Sequence, residues 1–341
     1  MTADLSGQEP PHVLVPPPGP TSRTFLLRHA RAAAPMGPAP TGGPSGIVYA
    51  SALGANVVDV DRNRYVDLAA GFGAQLLGHR HPTVQRALLL ESERLHQALG
   101  DLYPSDAKVS LVERLSRLHP DPEARVIVAQ SGSDAVTAAL KTAALATGNP
   151  GVLAFSGAYH GLGYGPLAAC GLRASYRDPF SSQLNPRVRF IDYPASLEAA
   201  SSALAQAADA FAAEAIGAVL VEPILGRGGV VLPPEGFLPE LAALAARHGA
   251  LFVADEIWTG LGRSGALLRS LATGVVPDLV CLGKGLGGAL PLSAVVGRGS
   301  AMQAWRREEE VVHTSTYAGA PLAAATALAT LDVLEREALP A

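Results

Sequence analysis

Two charged residues stand directly after apolar, strand-like runs and could act together. Asp255 ends the run that starts at Leu251, and Lys284 follows the run 278–282 about one strand-and-helix unit later. A buried carboxylate is costly unless a positive group meets it. A lysine removed from water has a lowered pKa and becomes a nucleophile toward aldehydes. A lone lysine is far more often a solvated surface charge, so the interpretation depends on its neighbours.

Other small, aromatic or acidic residues follow the remaining strand-like runs. Ser131, Gly132 and Ser133 precede a strong helix pattern, where free N–H groups and the helix dipole favour a phosphate, although a plain turn capped by serine explains them equally well. Tyr159 could stack on a planar ligand or simply pack, and Glu222 ends another run. Because ligands of α/β sheets bind at the carboxyl ends of the strands, this recurrence predicts one shared site.

The elements that must position these residues alternate between strand and helix patterns from about residue 125 onward. The connections are long enough for crossover helices, which predicts an α/β fold with a mostly parallel sheet. Strand patterns over 47–68 and helix patterns over 83–99 and 105–118 come first. The Pro-rich residues 1–22 predict a disordered tail, not a signal peptide.

Composition excludes several classes of protein. The 341 residues are 48% hydrophobic, which predicts a large core in more than one lobe, and the net charge of −4 argues against a nucleic-acid or membrane-surface binder. Cys170 and Cys281 form no CxxC pair, so we expect them to pack as apolar residues in a reducing compartment. His79 and His81 lack an accompanying acid or cysteine cluster, so turn and capping roles are expected and no metal site is predicted.

Two nucleotide-binding patterns near Lys284 fail on their context. Residues 283–288 formally match GxGxxG, but the following residues 291–297 have a strand pattern where a dinucleotide-binding unit needs a helix. A P-loop needs serine or threonine after the lysine, whereas Gly285 stands there. What remains is a lysine after a buried strand, flanked by glycines that let a ligand approach the backbone.

From about Val57 to its end, the chain resembles the class III pyridoxal-phosphate-dependent aminotransferases of fold type I. Each motif alone is weak or moderate, but their order along the chain is highly specific. The motifs are VVDVDRNRYVDLAAGFGAQLLGHRHP, QSGSDAVTAALKTA, GAYHG, VEPILGRGGVVLPPEGFL, ADEIWTGLGRSG, LGKGLGGALPLSAVVG and HTSTYAGAPLAAATAL.

The resemblance implies a role for each matching position. Lys284 would form the internal aldimine with pyridoxal 5'-phosphate and then carry the proton of the 1,3-shift, while Asp255 would keep the ring nitrogen protonated. Tyr159, followed by His160 in its motif, would stack on one ring face, and Ile257 would pack on the other. The remaining implied contacts are Ser131, Gly132 and Ser133 at the phosphate, Glu222 and Trp258 beside the cofactor, and Thr316 at the phosphate of the neighbouring subunit of a homodimer.

Several positions depart from the family pattern. Trp258 stands where glutamine usually contacts the phenolic oxygen of the cofactor, so that contact either passes to the indole N–H or is lost. Leu162 stands where many members have a carboxylate-binding arginine. Leu225, Arg227 and Ala320 replace a common glutamine, glutamate and asparagine. Arg227 is either a replacement anchor for an acidic group or a solvated arginine at the rim.

The resemblance also implies a domain plan. We expect a disordered tail (1–22), an arm with small-domain strands (23–75), a large cofactor-binding domain (76–314) and the start of a truncated C-terminal small domain (315–341). The large domain would contain a seven-stranded, mostly parallel sheet with helices on both faces. Absence of most of the small domain would affect substrate binding more than cofactor binding.

The expected function is a cytoplasmic, homodimeric transaminase that moves an amino group from an amine or amino acid to a keto acid or aldehyde by a ping-pong mechanism. No nucleic acid or membrane partner is expected. The alternatives are a truncated, catalytically silent module that binds the cofactor or a partner, and an aminomutase or decarboxylase that uses the same cofactor. Retention of Lys284 and Asp255 favours transamination, whereas the short C-terminus favours the silent module.

Overall fold

A small antiparallel sheet precedes the main body of the protein. The structure is a computed structural model and describes residues 6–36, 46–288, 290–306 and 311–339. Strands β1 (Tyr49–Leu53), β2 (Asn56–Asp59) and β3 (Arg64–Val66) form a three-stranded meander in that spatial order. The strand pattern predicted over 47–68 is therefore confirmed.

The N-terminal residues are attached to this small sheet. We expected a disordered tail over 1–22, but the backbone N–H groups of Leu14 and Val15 donate to Asn63 Oδ1 at 2.7 and 3.0 Å. The Asp61 carboxylate accepts from the first turn of the following helix, which also fixes the chain. These distant side-chain acceptors leave no signal in the composition of the tail. Residues 1–5 lie outside the described residues.

A seven-stranded sheet forms the centre of the molecule. Its spatial order is β4-β10-β9-β8-β7-β5-β6, and β10 is antiparallel to β4 and β9 while the other neighbouring pairs are parallel. The predicted mostly parallel α/β sheet is confirmed. The strands are β4 (Arg125–Ala129), β5 (Gly151–Phe155), β6 (Val188–Ile191), β7 (Ile216–Val221), β8 (Leu251–Asp255), β9 (Leu279–Leu282) and β10 (Ser293–Gly297).

Helices connect the strands and cover both faces of this sheet. The helices within the described residues are α1 (Pro20–Ala32), α2 (Ala70–Gly73), α3 (Pro82–Ser92), α4 (Asp106–Ser116), α5 (Gly132–Thr147), α6 (Tyr164–Ala168), α7 (Ala174–Arg177), α8 (Leu197–Ala213), α9 (Phe237–Arg247), α10 (Arg269–Ala272), α11 (Gly299–Met302) and α12 (Pro321–Arg336). Short 3₁₀ turns cover Asp178–Gln183, Lys284–Gly287 and Gln303–Trp305. None of the helices in these ranges is long and apolar enough to span a bilayer.

Apolar side chains point to both faces of the buried strands, which explains why helices cover both faces of the sheet. In β8, Leu251 and Val253 pack with α5, while Phe252 and Ala254 pack with α8 and α9. Successive side chains of a strand point to opposite faces, so a strand buried on both sides must be apolar throughout. A third cluster joins β9 and β10 to α4 and α12. The division of the chain at residues 22, 75 and 314 stays a prediction.

Candidate active site

The carboxyl ends of the parallel strands meet at one cavity of about 270 Å³, here called the inner cavity. All the predicted site residues line it except Ser131 and Thr316. Those that line it are Gly132, Ser133, Tyr159, His160, Glu222, Asp255, Ile257, Trp258 and Lys284. The convergence that the sequence predicted is therefore present in the fold.

Asp255 is buried and held by two hydrogen bonds. His160 Nδ1 lies 2.7 Å from Asp255 Oδ2, and the backbone N–H of Ile257 donates to Oδ1 at 3.1 Å. An ionised carboxylate only accepts, so the imidazole donates through Nδ1. The His160 side chain is completely buried, and its Nε2 has no hydrogen-bond partner among the described residues. His160 thus fixes the direction in which the carboxylate faces the cavity.

Lys284 begins the short 3₁₀ turn after β9 with a left-handed backbone, φ 43°. Burial lowers the pKa of its ammonium group, and the nearby Arg227 guanidinium lowers it further, whereas Asp255 and Glu222 oppose the change. Desolvation disfavours the charged form of an amine. The site therefore favours a neutral, nucleophilic Nζ.

Glu222 connects two loops through its two carboxylate oxygens. The N–H of Tyr159 donates to Oε1 at 2.8 Å, and the N–H of Gly226 donates to Oε2 at 3.0 Å. Burial raises the pKa of this carboxyl group. We predicted Glu222 as a cofactor-binding residue; in the structure it lies at the cavity wall, and its oxygens hold backbone groups.

The first turn of α5 forms one end of the inner cavity. The N–H groups of Gly132 and Ser133 have no intrahelical acceptor at this position. A Cβ on Gly132 would lie 2.9 Å from Ile257 Cδ1, so only glycine leaves room here. Ser131 Oγ accepts from Asp134 N at 3.2 Å and caps the helix. The turn can therefore hold an anion through its backbone, while Ser131 serves the helix.

A wider space of about 640 Å³, here called the outer cavity, adjoins the inner one and shares Tyr159, Glu222, Trp258 and Lys284 with it. Trp258 lies between two glycines, because a Cβ on Gly73 or Gly226 would lie 2.9 or 3.0 Å from indole atoms. Sequence reasoning missed Gly73 and also Phe72, which lines this space. Their only signal was a Gly-rich segment between two elements.

Thr316 lies outside both cavities of its own chain. It is exposed, and its carbonyl oxygen accepts from Gln97 Nε2 at 2.6 Å. The neighbouring Ser315 Oγ accepts from Gln130 Nε2 at 2.6 Å, next to the turn before α5. The exposed position is compatible with a contact to another subunit, which stays a prediction.

Comparison with known proteins agrees with this arrangement. The pattern of the family described as "Aminotransferase class-III" matches residues 39–341. The chain belongs to the class-III aminotransferase family. The acetylornithine aminotransferase of Mycobacterium leprae is 38% identical over 294 residues, which cover 86% of this chain and 69% of that protein. The 4-aminobutyrate aminotransferase of the same organism is 33% identical, with 94% and 74% covered.

Solved structures of transaminases share the fold. An amine transaminase from an uncultivated Pseudomonas species, in a pyridoxal-phosphate-bound form, has a TM-score of 0.83 and 31% identity. The likeness covers 90% of this chain and 75% of that chain. The predicted family, fold and pyridoxal-phosphate-dependent transamination are thereby confirmed.

The inner cavity carries groups that fit pyridoxal phosphate. Lys284 supplies an amine for the aldehyde, Asp255 a carboxylate for the ring nitrogen and Tyr159 an aromatic face. The first turn of α5 supplies N–H groups for the phosphate. Gly132 keeps that turn open, since a larger residue would require Ile257 to move.

Proposed function

We propose that Lys284 and Asp255 are the catalytic residues of this class-III aminotransferase. The observation that carries the proposal is that both face the same inner cavity, with Asp255 oriented by His160 at 2.7 Å and the pKa of Lys284 lowered by burial. When bound, the cofactor supplies an aldehyde that carries the amino group and a ring that delocalises electrons.

Each side chain then has a defined task. Lys284 Nζ, whose pKa burial lowers, would hold the cofactor and would then serve as the base and acid that moves a proton during transamination. Asp255 would keep a proton on the ring nitrogen, and His160 keeps Asp255 in place. Tyr159 and Ile257 would pack against the cofactor's ring, and the first turn of α5 would hold its phosphate through Gly132 and Ser133, since all four line the inner cavity.

The substrates we propose are an amine or amino acid as donor and a keto acid or aldehyde as acceptor, used in turn by a ping-pong mechanism. The proposed location is the cytoplasm, which agrees with two buried, unpaired thiols, Cys170 and Cys281.

Trapping the cofactor on its lysine tests the assignment of Lys284. Purified protein mixed with pyridoxal phosphate should show a visible absorption band, and reduction with borohydride should attach the cofactor to the peptide that contains Lys284. Lys284→Ala should abolish the band and reduce transamination at least ~10⁴-fold, since the nucleophile is removed. Lys141→Ala is the matched control, because Lys141 is exposed on α5 and donates to the Val312 carbonyl oxygen. Attachment of the cofactor to Lys141 or Lys108 instead of Lys284 would contradict the assignment.

We propose further that the protein is a homodimer in which Thr316 binds the phosphate at the neighbouring site. Its exposure, outside both cavities of its own chain, supports this role. Mixed dimers of Lys284→Ala and Thr316→Ala subunits contain one site with both native residues. Mixing the two weakened variants should therefore restore activity toward half of the wild-type value per mixed dimer. No gain on mixing, with dimers present by sedimentation, would contradict the shared site.

A further inference from the structure

The Arg227 guanidinium lies over the Tyr159 ring, with Cζ 4.2 Å from the ring centroid. Arg227 is exposed, and among the described residues no carboxylate or carbonyl oxygen accepts a hydrogen bond from it or pairs with it, although the group carries five N–H donors. Stacking on an aromatic face restricts a guanidinium but leaves its edge free. Arg227 therefore presents unused donors from a restricted position.

The loop that carries Arg227 is held at both ends. Leu225 and Val231 exchange two backbone hydrogen bonds of 3.0 and 3.1 Å, and Val230 N donates to Gly226 O at 3.0 Å. Glu222 Oε2 accepts from Gly226 N at 3.0 Å, one residue before the arginine. A side chain on such a fixed loop loses less conformational freedom when it binds a ligand.

The outer cavity combines this cation with aromatic walls. Phe72, Tyr159 and Trp258 line it together with Arg227 and Lys284. Lys284 is committed to the cofactor, so Arg227 is the cation that remains for a substrate among the residues lining this space. Glu222, the acidic residue of the lining, uses both oxygens on backbone N–H groups. An incoming anion thus meets a guanidinium edge and no free carboxylate oxygen.

We infer that Arg227 is a specificity-determining residue that binds a carboxylate of the substrate. This inference rests on the transaminase function proposed above. The planar fork of a guanidinium matches a carboxylate with two parallel hydrogen bonds, and the aromatic walls match an apolar or aromatic body. The substrate class is accordingly an amine with an apolar body and a carboxylate, in preference to the same amine without the acid.

Matched pairs of amines test the inference. The pairs are 3-amino-3-phenylpropanoate with 1-phenylpropylamine, and 4-aminobutanoate with butylamine; within each pair, a methyl group replaces the carboxylate. The half-reaction with each amine is followed by the absorption of the bound cofactor. Wild type should prefer an acid to its neutral partner, and Arg227→Gln should lower kcat/KM for that acid by about 10- to 100-fold, mostly through KM.

The neutral amines separate direct binding from indirect effects. Arg227 also touches Tyr159 and lowers the pKa of Lys284, so an indirect effect would slow both members of a pair. We expect the neutral amines to stay within about 2-fold and Arg227→Lys to fall between wild type and Arg227→Gln, because lysine keeps the charge but loses the fork. Arg187→Gln is the matched control, an exposed arginine outside both cavities.

A binding measurement gives a second readout that does not depend on turnover. The unreactive acid 3-phenylpropanoate should bind the wild-type holoenzyme about 10-fold more tightly than Arg227→Gln by calorimetry. Equal losses for acid and neutral amines, or no loss for either acid, would overturn the inference while leaving transamination intact. A wild type that converts no amine at all would overturn the proposed function, and the inference with it.

Discussion

The inner and outer cavities share Lys284 and Trp258 but are built in different ways. The inner cavity is lined by residues that follow strand ends of the buried sheet, and hydrogen bonds fix its central groups, as with Asp255 and His160. The outer cavity adds residues of the short, irregular α2, where Phe72 has a left-handed backbone with φ 58°, and of the loop after β7. A rigid sheet positions atoms more precisely than loops do. The chemistry is therefore placed on the sheet, and the selection of substrate on the loops.

The departures from the family pattern leave the residues proposed for catalysis unchanged. Lys284, Asp255 and Tyr159 retain the family's residue types in the inner cavity, whereas Arg227 is a departure that lies in the outer one. Leu162, another departure, lines the inner cavity, and Trp258 lines both. Loops accept substitutions more readily than buried strands, so a change of substrate needs no change in the reaction.

The largest expected effect from breaking the inner cavity comes from Asp255→Asn. The amide cannot hold the ring nitrogen in its protonated form, so turnover should fall by about 10²- to 10⁴-fold. Cofactor attachment through Lys284 should persist, because the nucleophile is unchanged. Steady-state rates and the visible absorption band measure the two effects separately.

Glu256→Gln is the matched control for this prediction. Glu256 is the adjacent buried carboxylate, but it accepts hydrogen bonds from Arg269 N and from Ser270 N and Oγ, and it lines neither cavity. The amide should lower the free energy of unfolding by about 1–3 kcal/mol and leave kcat within a few-fold. A larger loss of turnover in Glu256→Gln than in Asp255→Asn would reverse the assignment of the two carboxylates.

A smaller predicted effect is a shift in the pH dependence of cofactor attachment to Lys284. Its direction should be opposite for a change in the inner cavity and a change in the outer cavity. The Asp255 carboxylate raises the pKa of Lys284, whereas the Arg227 guanidinium lowers it. Attachment of pyridoxal phosphate needs neutral Nζ, so its rate increases as pH rises through that pKa. Asp255→Asn should shift this rise to lower pH, and Arg227→Gln should shift it to higher pH.

Stopped-flow measurement of cofactor attachment between about pH 6 and pH 10, around the ordinary range of lysine, measures both shifts. Arg187→Gln serves as control, because it removes a surface charge outside both cavities. Shifts of the same sign in Asp255→Asn and Arg227→Gln would contradict the opposite effects of the two charges on the pKa of Lys284, and no shift in either would leave desolvation as its cause.

Sequence reasoning predicted the inner cavity better than the outer one. Asp255 and Lys284 could be predicted from the sequence because apolar runs mark the buried strands, and the carboxyl ends of parallel strands lie at one edge of the sheet. The pairing of His160 with Asp255 was not predictable, because the two residues are 95 positions apart. A sequence pattern does not show which distant residues are close in space. Gly73 beside Trp258 was missed for the same reason. Loop conformation depends on contacts such as these, which appear only in the folded chain.

The N-terminal segment shows the same limit. Its prolines predicted disorder, yet Asn63 and Asp61 hold its backbone by hydrogen bonds. Composition indicates whether a segment has enough apolar residues to become ordered by burying them. It does not include acceptors that a distant turn provides.

The two oxygens of Glu222 join the backbones of Tyr159 and Gly226, so the ring-stacking residue and the loop of Arg227 cannot shift independently. Occupancy of the inner cavity and occupancy of the outer cavity are then thermodynamically linked. Such linkage is reciprocal: the factor by which a bound acid strengthens retention of the cofactor equals the factor by which the cofactor strengthens affinity for the acid. A single buried carboxylate thereby couples the wall of one cavity to the wall of the other.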